Sequence, residues 1–72
     1  MTLKSLRSNY GYSQEFVAGS CQLSRMQYSS IEAGRVNPQQ MRMQTVDLMA
    51  VFFHMSLDEM YHLLVYNFYH HD

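Results

Sequence analysis

Arg25, Met26, Ser29 and Ser30 would face one way on a short helix whose opposite side carries Tyr28 and Ile31 at i and i+3. An arginine can donate two parallel hydrogen bonds to a guanine edge, a methionine can contact a thymine methyl, and serines supply adaptable donors and acceptors. The chemistry that these four could do together is the reading of base edges in a groove.

The elements that must hold them are legible on either side. Ser24 with Gln27 three residues on forms an S-x-x-Q capping box, which satisfies two orphan amide donors and starts the helix. Gly34 can close that helix in the left-handed conformation, and Asn37 with Pro38 prevents its continuation. Upstream, Ser13 suits an N-cap, and QEFVA turns Val17 and Ala18 inward from a supporting helix. Two short helices about a tight turn, Ser13 to Arg35, are the sequence form of a helix-turn-helix, which makes duplex DNA the first partner to consider.

Three blocks then carry a resemblance. Leu6 and Arg7, Gly11, and Ser13-Gln14-Glu15 fit an L-R-x-x-x-G-x-S-Q-E opening; Ile31-Glu32-Ala33-Gly34-Arg35 fits I-E-x-G-R; Met55-Ser56-Leu57-Asp58-Glu59-Met60 fits V-S-x-D-E-L. The chain resembles the Cro/C1-type helix-turn-helix family of phage repressors and small bacterial transcriptional regulators, over roughly residues 3–61. The resemblance implies an all-α, lambda-repressor-like bundle of about five helices with the motif at helices 2 and 3. It also implies roles: Arg25, Met26, Ser29 and Ser30 at the base-reading positions, and Gln14, Arg35 and Asn37 on the DNA backbone. Arg7 and Glu32 match a pair that in the family forms a largely buried salt bridge.

Seventy-two residues hold one core, so residues 1–72 are expected to form a single domain whose stability an oligomer would raise. The lone Cys21 cannot form an internal disulfide, and a buried, inert thiol in a reduced cytoplasm is the expected setting. No apolar run is long enough to span a bilayer, and MTLKSLRSNYG lacks the apolar stretch of a signal peptide. No zinc-type spacing, phosphate loop or nucleophile elbow is present, so neither a metal, a cofactor nor an enzyme activity is expected. Asp58 and His62, at i and i+4, read as a helix-surface pair, and the seven methionines read mostly as core filler, with Met26 the exception.

A net charge of −1 is unlike a strong nucleic-acid binder, but its distribution is uneven. Residues 1–43 carry Lys4, Arg7, Arg25, Arg35 and Arg42 against Glu15 and Glu32, a net of +3. Residues 44–72 carry Asp47, Asp58, Glu59 and Asp72 with no Lys or Arg, a net of −4. With Arg7 spent on Glu32, four cations per subunit remain for phosphates, which predicts modest, salt-dependent affinity and favours a dimer.

Met43, Val46, Met49, Ala50 and Phe53 repeat at helical spacing and predict a fourth helix. The stretch from Gly34 to Thr45 is about three residues longer than the family's pattern, with the extra residues within Asn37–Gln44. His54 occupies a helix C-cap position where the family often has glycine. Ser56 and Glu59 form a second capping box opening a last helix over about 57–69. Leu57, Met60, Leu64 and Tyr61 suffice to close the core, leaving Leu63, Val65, Tyr66, Phe68 and Tyr69 for a homodimer interface through that helix. Such a dimer would offer two recognition helices to major grooves about 34 to 36 Å apart.

Departures from the family pattern support an alternative partner. Phe16 stands where the family is polar, and with Met26 it would extend an apolar patch over the would-be DNA face. Gln22 replaces the turn glycine, where a left-handed residue costs about 1 to 2 kcal/mol. Gly19 within the supporting helix costs about 1 kcal/mol relative to alanine. These features suit an antirepressor or modulator that binds a phage repressor as a heteromer, through Phe16, Met26, Leu63, Tyr66, Phe68 and Tyr69.

Overall fold

The computed structural model describes residues 1–71. Five α-helices follow one another: α1 Leu3–Tyr10, α2 Gln14–Ser20, α3 Arg25–Glu32, α4 Met43–Phe52 and α5 Leu57–His70, with a 3-10 turn at Pro38–Gln40. Among the described residues there is no strand.

Local chemistry sets most boundaries. The Ser13 hydroxyl accepts from the Phe16 amide at 3.1 Å and starts α2. Ser24 and Gln27 exchange bonds of 3.0 and 2.8 Å at the start of α3, and Ser56 and Glu59 exchange bonds of 3.0 and 2.9 Å at the start of α5. Thr2 and Ser5 form a third reciprocal cap on α1. Gly34 takes φ 74° after α3, as its position requires. Gln22 and His54, both at φ 59°, take the same left-handed turn after α2 and α4 with side chains that resist it. Each corner is closed by a long-reach amide: Leu23 N–H to the Ala18 carbonyl at 2.9 Å, and Met55 N–H to the Ala50 carbonyl at 2.8 Å.

The extra residues between α3 and α4 fold into a local element. Asn37 Oδ1 accepts from the Gln39 amide at 3.0 Å, capping the 3-10 turn that Pro38 begins. That turn delivers the chain to α4 with Arg42 at its N-cap and without a side-chain cap.

The core draws on every helix: Leu3 from α1, Val17 and Ala18 from α2, Tyr28 and Ile31 from α3, Val46, Met49 and Ala50 from α4, Met60, Leu63 and Leu64 from α5, with Cys21 and Phe53 at helix ends. Three expectations change here. Leu63 is buried at 9% exposure and belongs to the core, not to a free interface. Conversely Leu57 is exposed, and Met43 is 69% exposed; both line an apolar cleft with Val46, Asp58 and Tyr61 where the starts of α4 and α5 face each other. The physical reason is rotation: α5 presents Met60, Leu63, Leu64 and residue 67 inward, a stripe set by its packing on α4 and α3 rather than by its first turn. Of the methionines, Met49 and Met60 are core, Met41 and Met55 pack against it, and Met1, Met26 and Met43 are exposed.

The fourth residue of that stripe is Asn67, 1% exposed. Its Oδ1 accepts from the Leu3 amide at 2.8 Å, and its Nδ2 donates to the carbonyls of Ile31 at 3.1 Å and Glu32 at 3.3 Å. An α-helix leaves its first amides and last carbonyls without internal partners. One side chain on α5 thus supplies partners to the start of α1 and the end of α3.

Candidate nucleic-acid interface

The helix-turn-helix is α2, the Cys21–Ser24 corner and α3, and its inner side is fixed by a polar cluster. Arg7 makes a two-pronged contact with Glu32, Nε to Oε2 at 2.9 Å and Nη2 to Oε1 at 3.0 Å, while its Nη1 donates to the Tyr12 carbonyl at 2.7 Å. Gln14 Nε2 adds a bond to Glu32 Oε1 at 3.2 Å. This salt bridge joins the first and third helices. Burial opposes ionisation of Glu32 most strongly, but the Arg7 guanidinium, with smaller contributions from Tyr28 and Gln14, outweighs it, so the carboxyl lies below its ordinary range. The Arg7 guanidinium is held more firmly protonated, chiefly by its bond to Glu32. The Tyr28 phenol, fully buried beside this pair, is pushed well above its ordinary range by desolvation, and its hydroxyl makes no hydrogen bond of ordinary geometry.

The outward side of α3 divides in two. Met26 and Ser30 line a groove of about 590 Å³ with Gln22, Gln27, Val36, Arg42 and Thr45. Ser29 instead lines a smaller hollow of about 200 Å³ with Lys4, Gln14, Glu32 and Ala33. Arg25 and Met26 are exposed, Met26 at 79%, while Ser29 and Ser30 are half-buried. Of the backbone candidates, Arg35 is exposed, Asn37 commits its carbonyl oxygen to the 3-10 turn, and Gln14 turns its amide inward to Glu32.

Sequence reasoning did not place Lys4 or Arg42 beside α3. Lys4 is exposed on α1 three residues before Arg7, and Arg42 stands at the end of the inserted loop. Helical spacing from Arg7 was a signal for the first; nothing in the sequence marked the second. With Arg25 and Arg35 they are the exposed cations among the described residues, and all lie in the first 42 positions.

Phe16 and Met26 have different neighbours. The Phe16 ring packs on Tyr12 at 5.0 Å and Phe52 at 5.9 Å, toward the end of α4, whereas Met26 lines the groove beside α3. On α5, Tyr66 and Tyr69 are exposed and Phe68 half-buried, packing on Tyr69 at 5.1 Å. Cys21 is buried and its thiol is pushed up to about 11 by desolvation, which leaves it unreactive. Asp58 and His62 form a 3.5 Å pair on the surface of α5. Among the described residues no group of His, Cys, Asp and Glu could hold a metal ion, and no helix is long and apolar enough to cross a membrane.

No curated protein and no solved structure matches the chain. A family described as "Helix-turn-helix domain" matches residues 1–63, from the start of the chain through the middle of α5. With the motif at α2 and α3 and five helices around one core, the chain belongs to the helix-turn-helix domain family.

Proposed function

We propose that the protein is a sequence-specific DNA-binding transcriptional regulator of a phage or other mobile element, which reads a short inverted repeat as a homodimer. The observation that carries this reading is the pairing of a fixed inner side of α3 with exposed cations on and beside it, Arg25 on the helix and Arg42 and Lys4 at the two hollows that flank it. Arg7, Gln14 and Asn67 lock Glu32 and the end of α3, while Arg25, Arg35, Arg42 and Lys4 all stand exposed within the first 42 positions. Rigid placement of the reading side chains is what groove recognition demands. Arg25 donates to guanine, Met26 contacts a thymine methyl, and Ser29 and Ser30 take the flanking positions on either side of the helix. Arg35 and Asn37 meet the DNA backbone, joined by Gln14 through the start of α2.

Dimerisation runs through the exposed end of α5, where Tyr66 and Tyr69 with half-buried Phe68 offer aromatic surface. Leu63 is not part of it. Two subunits bring about eight exposed cations to the duplex, so log K should fall with log salt at a slope of about −7 if all reach phosphates.

A second reading, a modulator that pairs with a phage repressor, is favoured by the half-exposed Phe16 ring outside the DNA face. Selection from a randomised duplex library with the purified protein alone separates the two. Recovery of an inverted repeat bound with steep salt dependence supports autonomous DNA reading; absence of any enriched sequence, with a stable complex on mixing with a phage repressor, supports the modulator.

A further inference from the structure

The end of α3 is held by the last turn of α5 and by the residue that follows it. Asn67 donates to the carbonyls of Ile31 at 3.1 Å and Glu32 at 3.3 Å. Four residues on, His71 lies over Gly34: a Cβ on residue 34 would overlap Nδ1, Cγ and Cε1 of the imidazole. Gly11 takes the same left-handed conformation, φ 75° against 74°, yet has open space where its Cβ would stand. Gly34 therefore serves a close approach as well as a turn. In its Nδ1–H tautomer His71 also donates to the Phe68 carbonyl at 3.2 Å, which ties the ring to the end of α5.

What these two side chains hold is the stretch that delivers Arg35. The Gly34 amide donates to the Ile31 carbonyl at 3.1 Å and the Arg35 amide to the Ser30 carbonyl at 3.0 Å, so the chain leaves α3 through the residues that Asn67 and His71 touch. Arg35 follows Gly34 directly and is exposed. A long cationic side chain reaches a phosphate in a fixed place only when the backbone beneath it is fixed, and that is the task of supporting contacts. Asn67 and His71 both lie outside the stretch 1–63 that matches the helix-turn-helix domain family.

We propose that Asn67 and His71 are positioning residues for DNA binding, which hold the end of α3 and Gly34 so that Arg35 stands at a phosphate. The proposal rests on the DNA reading given above and adds to it a part for the end of α5 that is separate from subunit pairing.

The test compares wild type, Asn67→Ala and His71→Ala in two measurements on the 72-residue chain. In hydrogen exchange without DNA, the Gly34 and Arg35 amides, relative to those of α4, should exchange about tenfold faster in Asn67→Ala and about threefold faster in His71→Ala. On a duplex selected by the wild type, each variant should give a plot of log K against log salt that is shallower by about 2, the loss of two Arg35 contacts per dimer at about 0.9 each. The base preference at the pair that Arg25 meets should be kept, because Arg25 stands at the other end of α3. A merely structural part for these residues would lower the folded fraction and leave the slope unchanged. Should Asn67→Ala fail to fold, His71→Ala, at an exposed position, decides the question alone. Unchanged exchange at Gly34 and Arg35, or an unchanged slope, would overturn the proposal and leave the DNA reading intact; a wild type that selects no duplex would overturn both.

Discussion

The N-terminal and C-terminal halves of this molecule share one apolar core, but the first adds directed bonds between its helices. Helices α1, α2 and α3 are tied by directed bonds: Arg7 to Glu32 and Tyr12, and Gln14 to Glu32. Helices α4 and α5 are tied by undirected packing of Val46, Met49, Ala50, Phe53, Met60 and Leu64. Every Lys and Arg lies within residues 1–42, and residues 43–72 carry none. The difference teaches a division of labour: apolar burial supplies most of the stability, whereas hydrogen bonds of fixed direction supply the orientation of α3. Asn67, on the packed half, reaches across to hydrogen-bond both the start of α1 and the end of α3.

Substitutions can break that contrast, and the largest effect belongs to the packed half. Phe53→Ala removes a ring from the core and its contacts to Tyr10 and Phe52, and should cost about 3 to 5 kcal/mol in denaturant unfolding. Glu32→Gln should cost about 3 kcal/mol, the lower end of the range for breaking a buried pair, because Arg7 retains 14% exposure and some access to water.

The same pair predicts a pH dependence. The folded-state pKa of Glu32 is lowered, so its contribution is fully present above the unfolded value of about 4.3 and disappears as pH falls through the folded value. The stability gap between wild type and Glu32→Gln should therefore be constant near neutrality and narrow below about pH 4. A gap independent of pH would mean that the pair does not hold the carboxylate ionised.

Asn67→Ala sharpens the comparison further. It strands the Leu3 amide and loosens two α3 carbonyls, a cost of about 1 to 3 kcal/mol. Hydrogen exchange should rise selectively at both the start of α1 and the end of α3, two places far apart in sequence. The smallest effect is a gain: Gln22→Gly relieves a left-handed residue at φ 59° and should raise stability by about 1 kcal/mol.

What the sequence revealed tracks how local each feature is. Ser13, Ser24 with Gln27, Gly34 and Ser56 with Glu59 act over three or four residues, so the helix starts and the motif could be read from spacing. The Arg7 to Glu32 bridge spans 25 residues and was accessible only through family resemblance. Asn67 bonds across 35, 36 and 64 residues and interrupts an apolar stripe, a pattern that reads as a helix's polar edge until the fold is known. Leu63 and Leu57 exchanged roles because the rotation of α5 is set by its packing partners. Met43 is exposed where helical spacing put it inside: it is the first residue of α4 and lies in the cleft facing the start of α5. The contacts among the Tyr10, Tyr12, Phe16 and Phe52 rings are not legible in the sequence because these residues come from α1, a turn, α2 and α4, with no shared period. The four residues proposed to read bases share α3, but the structure turns Ser29 and Ser30 into different hollows, a split that helical spacing alone does not show.

The central claim is that the outward side of α3, and no other surface, reads DNA. Its most direct test is the affinity of wild type, Arg25→Ala and Phe16→Ser for one duplex selected by the protein itself. The account predicts that Arg25→Ala weakens binding by about tenfold or more, the worth of one bidentate base contact, while Phe16→Ser leaves it within about twofold. A neutral Arg25→Ala beside a Phe16→Ser that abolishes binding would contradict it.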